Sequence, residues 1–368
     1  MKIQSENIVQ KLTEALTGLA DVIAVFSSKD EMLLKASPQI DLQFQHAEIE
    51  SRLRPLGYHV EFIADKPSLV IRLRSLEIIS RKSFPWVNIF LFLATVITTL
   101  FTGAIYEGVN LFGDPTLIWK GPAAIISHGF PFSFSLLAIL LFHEFGHYIA
   151  GRIHGVNMSL PYFIPAPPGI TLIGTLGAVI KSKSAFINRK QLIDVGSSGP
   201  LAGLIISIIV FGIGIYGSPL KPKPEETQGL IMVGDSLLNT FMVGLIKGQI
   251  AENQTLFFNS VAFAGWVGML VTMLNLLPLG QLDGGHILYA LVGKRQKMLA
   301  NLFLVALLIM SFYWTGWAFW IIFGILLRPA HPPTMMDEVP LGSGRKAIGY
   351  LSMAVFILCF IPIPFSIT

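Results

Sequence analysis

Charge is what this chain has least of. Only 13% of its 368 residues are charged, against 53% hydrophobic, and the mean hydropathy is +0.65. Globular domains carry about a quarter charged residues, so a soluble chain of this size would lack much of its polar surface. An ordinary soluble enzyme is excluded, and a polytopic membrane protein is expected. Cysteine is nearly absent: Cys359 stands alone inside an apolar run, which rules out an intramolecular disulfide framework. No basic block is present either. The Lys and Arg behind the net charge of +4 sit in short clusters beside apolar runs, a pattern of positive-inside loops and not of nucleic-acid recognition. The N-terminus, MKIQSENIVQKLTEALTG, lacks the apolar core of a secretory signal and the Arg-rich character of a transit peptide. The expectation is a multi-pass protein of a prokaryotic cell's inner (cytoplasmic) membrane, with a plastid protein in mature form as the alternative.

Residues 1–80 hold many of the charges and read as a small soluble α/β domain with a regulatory or docking role. Ile8, Leu12, Ala15 and Leu16 recur at helical spacing, VIAVFSS (22–28) reads as a strand, and HAEIESRLRPLGY (46–58) as a helix with a Pro-Gly stop. HVEFI and SLVIRL alternate like paired strands. From 84 to 367 the chain is membrane-like. A span needs about 20 apolar residues, and the candidates are 84–105, 124–149, 195–217, 257–280, 298–327 and 347–365. Arg72, Arg74, Arg81 and Lys82 precede the first and mark the cytoplasmic side, where alternation also puts Lys181–Lys190 and Lys294–Lys297. Arg328, Arg345 and Lys346 join them if 298–327 is a hairpin, giving about seven passes. The fold class is thus all-α and polytopic, with 6–7 transmembrane helices at the rough count that length allows. Between the second and third spans, PYFIPAPPGITLIGTLGAVIKSKSAFINRK (161–190) is rich in Pro, Gly and β-formers. It reads as a re-entrant β-hairpin beside a wet cavity or as a simple loop.

The chemistry lies at the end of the second span, in LLFHEFGHYIAG (141–151 and the residue before it in the run). On a helix, His143 and His147 stand one turn apart on one face and can bind one metal ion, with Glu144 placed to take a proton from the attacking water. His and Glu inside an apolar span are costly, so such a cluster is functional by default; the bland alternative is a polar cluster that packs helices together. A catalytic zinc wants a third protein ligand. His154 shares the face but lies about 10 Å further along the axis. Asp194 stands just before a Gly-Ser-Ser-Gly-Pro turn, and Glu225 belongs to a polar segment on the opposite side. Asp283 follows an apolar helix broken by Asn275, Pro278 and Gly280, a break that can aim a carboxylate into a cavity. It is the best third donor, against the reading of Asp283 as a plain helix cap.

HEFGH (143–147) together with NLLPLGQLDG (275–284) resembles the paired motifs of the site-2 protease family, peptidase family M50: intramembrane zinc metalloproteases that cut transmembrane helices. GSSGPLAG (196–203) is similar to that family's middle core helix. The resemblance covers about 120–290, the catalytic core of an expected metalloprotease domain over 84–367. The front and tail resemble more loosely the plant chloroplast and cyanobacterial branch, and no Gly-Leu-Gly-Phe-type loop marks a PDZ domain. The resemblance implies His143, His147 and Asp283 as ligands of one Zn2+ and Glu144 as general base. It implies Asn275 as a polar contact near the substrate backbone or developing oxyanion.

The expected activity is peptide hydrolysis within or near transmembrane helices of single-pass or other helical membrane proteins (regulated intramembrane proteolysis), in a lipid bilayer. The site would be nearer the cytoplasmic face, with no nucleic-acid partner. A helical substrate must be unwound, and GTLGAVI (174–180) could hold it extended as an added strand. The competing class is a metal-ion transporter using the same His/Asp cluster, against which Glu144 between the histidines and the lack of an internal repeat both speak.

Overall fold

The run MLL (32–34) is continuous where a half-exposed strand would alternate, and the stretch SLVIRL, expected to alternate, is instead buried on both faces from Leu69 to Leu73. The computed structural model describes residues 2–27, 31–39, 42–64, 68–75, 84–109, 121–223 and 231–367; Arg81, Lys82 and Glu225 lie outside the described residues. Strands β1 (Ala20–Ser27), β2 (Met32–Pro38), β3 (Tyr58–Ala64) and β4 (Leu69–Ser75) form one antiparallel sheet in the order β1-β2-β4-β3. On one face Leu34, Leu69 and Ile71 pack under helices α1 (Lys2–Leu16) and α2 (Leu42–Leu53) through Leu12, Leu16, Ile49 and Leu53. On the other, Leu33 and Val70 meet Ile187, Met335 and Met336 from the remainder of the chain. The Pro-Gly stop after α2 is as expected, with Gly57 in the left-handed region at φ 85°.

Helices α3 (Trp86–Tyr106), α4 (Pro122–Ile153) and α5 (Arg189–Gly217) are, among the described residues, those long and apolar enough to cross a membrane. Shorter helices follow: α6 (Leu237–Lys247), α7 (Ser260–Asn275), α8 (Asp283–Val292), α9 (Gln296–Met310), α10 (Gly316–Leu326) and α11 (Ser343–Cys359). The molecule is therefore mostly helical with a small β region, and three spans stand by length and composition. The expected span 257–280 is a 16-residue helix, about 24 Å long against a hydrocarbon core of about 30 Å. The stretch 298–327 is two helices that pack on each other across a turn, not one long rod. Helix α6 has no counterpart in the sequence reading.

Helix α5 begins six residues before the expected 195. Asn188 caps it by accepting from the amides of Lys190 and Gln191. The Gly-Ser-Ser-Gly-Pro stretch read as a turn lies inside the helix, because its small residues face α4 at backbone contact distance: a Cβ on Gly146 would stand 2.6 Å from the Ser198 carbonyl oxygen. Helices α4, α5 and α7 pack together with α3 outside α4, around a core that includes Phe132, Phe211, Trp266 and Trp317.

The Pro/Gly-rich segment forms an antiparallel hairpin of β5 (Tyr162–Pro165) and β6 (Thr175–Val179). Near its start, Asn88 of α3 donates to the Pro161 carbonyl at 2.8 Å. The Phe92 and Phe163 rings meet at 5.0 Å. At its tip, the Tyr106 hydroxyl donates to the Leu172 carbonyl. From Asn88 to Tyr106 a helix rises about 27 Å, so the hairpin runs beside nearly the whole of α3.

Candidate metal centre

His143 and His147 lie on the inner face of α4, both about 5% exposed, and the helical period brings their side chains together with Nε2 atoms 3.2 Å apart. His147 Nδ1 is 2.7 Å from the Val195 carbonyl of α5. A carbonyl only accepts, so Nδ1 carries the proton and the Nε2 lone pair faces His143. That is the arrangement in which a backbone group fixes the tautomer of a metal-binding histidine.

The third group arrives from far along the chain. Helix α7 stops at Asn275, Pro278 cannot continue it, and Gly280 takes a left-handed φ of 51°. The chain then re-enters helix at Asp283, which is the first residue of α8 and not its cap: Leu282 holds the cap position without a side-chain hydrogen bond. Asp283 Oδ2 stands 3.2 Å from His147 Nε2 and 3.4 Å from His143 Nε2. Two donors each 2.0–2.1 Å from one ion at the tetrahedral angle stand about 3.3–3.4 Å apart. The donor chemistry and all three spacings suit a single zinc-sized ion.

Two further observations fit such an ion. A Cβ placed on Gly199 would stand 2.1 Å from His147 Nε2, and one on Gly203 would reach 3.1 Å from His143 Cβ and Nδ1. The glycines of α5 therefore vacate the volume into which the imidazoles point. Glu144, 5% exposed, lies beside the cluster, and its buried Oε2 has no hydrogen-bond partner in the protein. An unmet buried polar atom costs on the order of 1–3 kcal/mol, a cost found where a carboxylate is held ready for another group. Asn275 Nδ2 is 3.3 Å from His143 Nε2, at the edge of the same cluster.

The two other acidic and imidazole candidates stay out. His154 Nε2 lies 2.8 Å from Asp194 Oδ2, and Arg345 grips Asp194 through Nε and Nη2, so His154 is engaged in a separate polar network around Asp194. Sequence reasoning missed the Val195 carbonyl and the clearance made by Gly199 and Gly203. The small-residue run 196–203 was the only local sign of the latter.

The description "Peptidase family M50" matches residues 131–314. The chain is 29% identical over 271 residues to "Probable zinc metalloprotease EGY1, chloroplastic" of Arabidopsis thaliana, covering 70% of this chain and 48% of that protein. Its identity to the Oryza sativa subsp. japonica EGY1 is 29% over 299 residues, covering 75% and 50%. To "Probable zinc metalloprotease EGY2, chloroplastic" of Arabidopsis thaliana it is 25% over 251 residues, covering 66% and 44%. The chain spans about half the length of the curated relatives it matches. The chloroplastic names of these relatives overturn the expectation of a cell inner (cytoplasmic) membrane. Hydropathy and loop charge report insertion into a bilayer, and that physics is the same in either membrane, so neither could tell one from the other. The family match takes in half of the chain, from Pro131 to Trp314, with both histidines, Glu144 and Asp283 inside it, and this chain belongs to peptidase family M50.

Proposed function

We propose that the chain is an intramembrane zinc metalloprotease, hydrolysing peptide bonds within or beside transmembrane helices of membrane-protein substrates. The observation that carries this reading is the convergence of His143 Nε2, His147 Nε2 and Asp283 Oδ2 next to the unpartnered Glu144 carboxylate. The relatives' names as zinc metalloproteases support the same metal. His143, His147 and Asp283 would hold one zinc ion. When bound, the ion supplies Lewis acidity toward water and toward the scissile carbonyl.

The chain's own groups do the rest. Glu144 takes the proton of the attacking water on its carboxylate and returns it to the leaving amine. The Val195 carbonyl keeps His147 in the tautomer that leaves Nε2 free as a donor atom. The Asn275 amide, at the rim beside His143, is suited to donate to the substrate backbone or to a carbonyl oxygen as charge develops on it. Proteolysis also needs an extended substrate. Strand β5 packs on α3 while β6 is the outer strand, with Leu176 and Val179 exposed. The second edge of β6 can therefore take up an unwound segment as a further strand. We read the hairpin as re-entrant, residues 84–367 as the protease unit and residues 1–80 as a docking or regulatory unit. The relatives' chloroplastic names support a plastid membrane as the bilayer concerned.

The test is incubation of the purified chain and of Glu144→Gln with a panel of membrane-spanning peptides. Zinc-dependent cleavage by the unaltered chain, absent in a variant that still holds zinc, is expected. Metal flux in liposomes without cleavage would sink the reading in favour of a transporter.

A further inference from the structure

Asp283 is separated from the histidines by more than a hundred residues, and its helix α8 is short. Besides its packing against α5, this helix is bonded by a segment the metal site itself does not include. Residues 328–339, which follow α10, run across α8. The Pro329 carbonyl accepts from the amide of Gly280 at 3.2 Å and from the side chain of Gln296 at 2.9 Å. Gln296, 1% exposed, in turn accepts on its Oε1 a hydrogen bond from the His331 amide at 3.0 Å.

Two side chains of α8 are then gripped directly. His286 Nδ1 and His331 Nε2 are 2.6 Å apart, and His331 Nδ1 lies against the Pro332 carbonyl. Because that carbonyl only accepts, His331 carries its proton on Nδ1, and His286 Nδ1 is the donor to His331 Nε2. The Tyr289 hydroxyl donates to Asp337 Oδ2 at 2.5 Å, and Asp337 Oδ1 is held by the Thr334 hydroxyl at 2.6 Å. His286 and Tyr289 follow Asp283 at steps of three residues, so all three lie along one side of α8. A turn or slide of this helix moves Asp283 with them.

The same segment is fastened from its other side by the N-terminal sheet. Met335 and Met336 are buried against Leu33 and Val70, and Lys35 reaches the Met335 carbonyl at 2.6 Å and Glu338 at 3.1 Å. The sheet also holds the end of α4, through Arg72 Nη2 donating to the Gly155 carbonyl at 2.8 Å. One sheet thus contacts the framework of both donor-bearing helices.

We infer that residues 328–339 are a brace that sets the position of Asp283 through His286 and Tyr289, with the N-terminal sheet as its anchor. His331 and Asp337 are accordingly positioning residues. What Asp283 is positioned for rests on the metalloprotease reading. Metal sites tolerate only about 0.2 Å in donor distance, and loss of outer-shell partners typically weakens metal affinity by about 10–100-fold.

The test uses the full chain in detergent, with Asp337→Ala, His331→Leu and the milder Tyr289→Phe. Hydrogen exchange is followed over 280–292 in metal-free protein, and zinc affinity is measured by competition with a chromophoric chelator. Faster exchange confined to 280–292, with zinc bound at least about tenfold more weakly and an unchanged melting temperature of the metal-free chain, supports the brace. Unchanged exchange overturns it. Faster exchange at unaltered zinc affinity overturns the positioning role. If the unaltered chain binds no zinc while 280–292 remains protected, the metalloprotease reading has failed, and the positioning role with it. Lys35→Met, with the same readouts, tests the anchor: it is refuted if exchange over 280–292 stays at the unaltered rate.

Discussion

Gly199→Ala tests the metal centre without replacing any group that could bind a metal. The added Cβ would stand 2.1 Å from His147 Nε2, 2.4 Å from Cδ2 and 2.5 Å from Cε1. Ordinary contact begins near 3.4 Å, so the shortfall at Nε2 is 1.3 Å (3.4 − 2.1). His147 is 5% exposed and tied to Val195, so the ring cannot step aside without breaking that bond. A donor displaced by even half of the shortfall lies several times outside the roughly 0.2 Å tolerance of a metal site. Gly203→Ala supplies the graded control, because its Cβ meets His143 at 3.1 Å and needs a shift of only a few tenths of an ångström. Zinc per chain, measured by elemental analysis after gel filtration, should fall close to zero for Gly199→Ala and stay near the unaltered value for Gly203→Ala. Cleavage of a membrane-spanning peptide should follow the same order. A Gly199→Ala protein that folds and keeps one zinc per chain with unaltered cleavage would refute the placement of His147 as a donor.

His143→Ala, His147→Ala and Asp283→Asn should each lose bound zinc. Glu144→Gln should keep it and lose cleavage by at least about 10²-fold, the lower end for a general base; loss of zinc in Glu144→Gln would count against that division of roles. Single prolines across 174–180 should abolish cleavage while leaving zinc content alone, since proline removes a strand donor, and unchanged cleavage would remove β6 from substrate handling. Acid should weaken the brace. Burial holds the His331 pKa below its ordinary 6.5, so the unfolded chain takes up this proton first and stability is lost as pH falls below about 6.5. The proton would sit on Nε2 facing the His286 donor, with Tyr289 and Asp337 the other titratable groups alongside. Thermal melts of metal-free protein from pH 7.5 to 5.5 should therefore slope less in His331→Leu, and equal slopes would contradict this.

Much of the protein can be read locally. The charge deficit implies a bilayer, the three long apolar runs are α3, α4 and α5, and the Pro/Gly-rich segment between the last two is a hairpin. HEFGH puts two imidazoles on one face because four residues are about one helical turn. Other features escaped. The run GSSGP reads as a turn from its residues, yet it is the interior of α5, because packing against α4 rewards small side chains more than propensity penalises them. Strand β2, central to the N-terminal sheet, went unread because both of its faces are buried and it shows no alternation.

The sequence by itself determined the two histidines, the glutamate between them and the bilayer around them, since each of these follows from neighbours within a few turns of one helix. It also offered Asp283 beside a break in a helix, as a donor or as a plain cap. Only the tertiary structure brings Asp283 to the histidines, and it does so through contacts that no local pattern encodes. Glycines of α5 clear space for the imidazoles, the Val195 carbonyl orients one ring, and a segment near residue 330 holds α8 so that a carboxylate 136 positions beyond His147 arrives 3.2 Å from it.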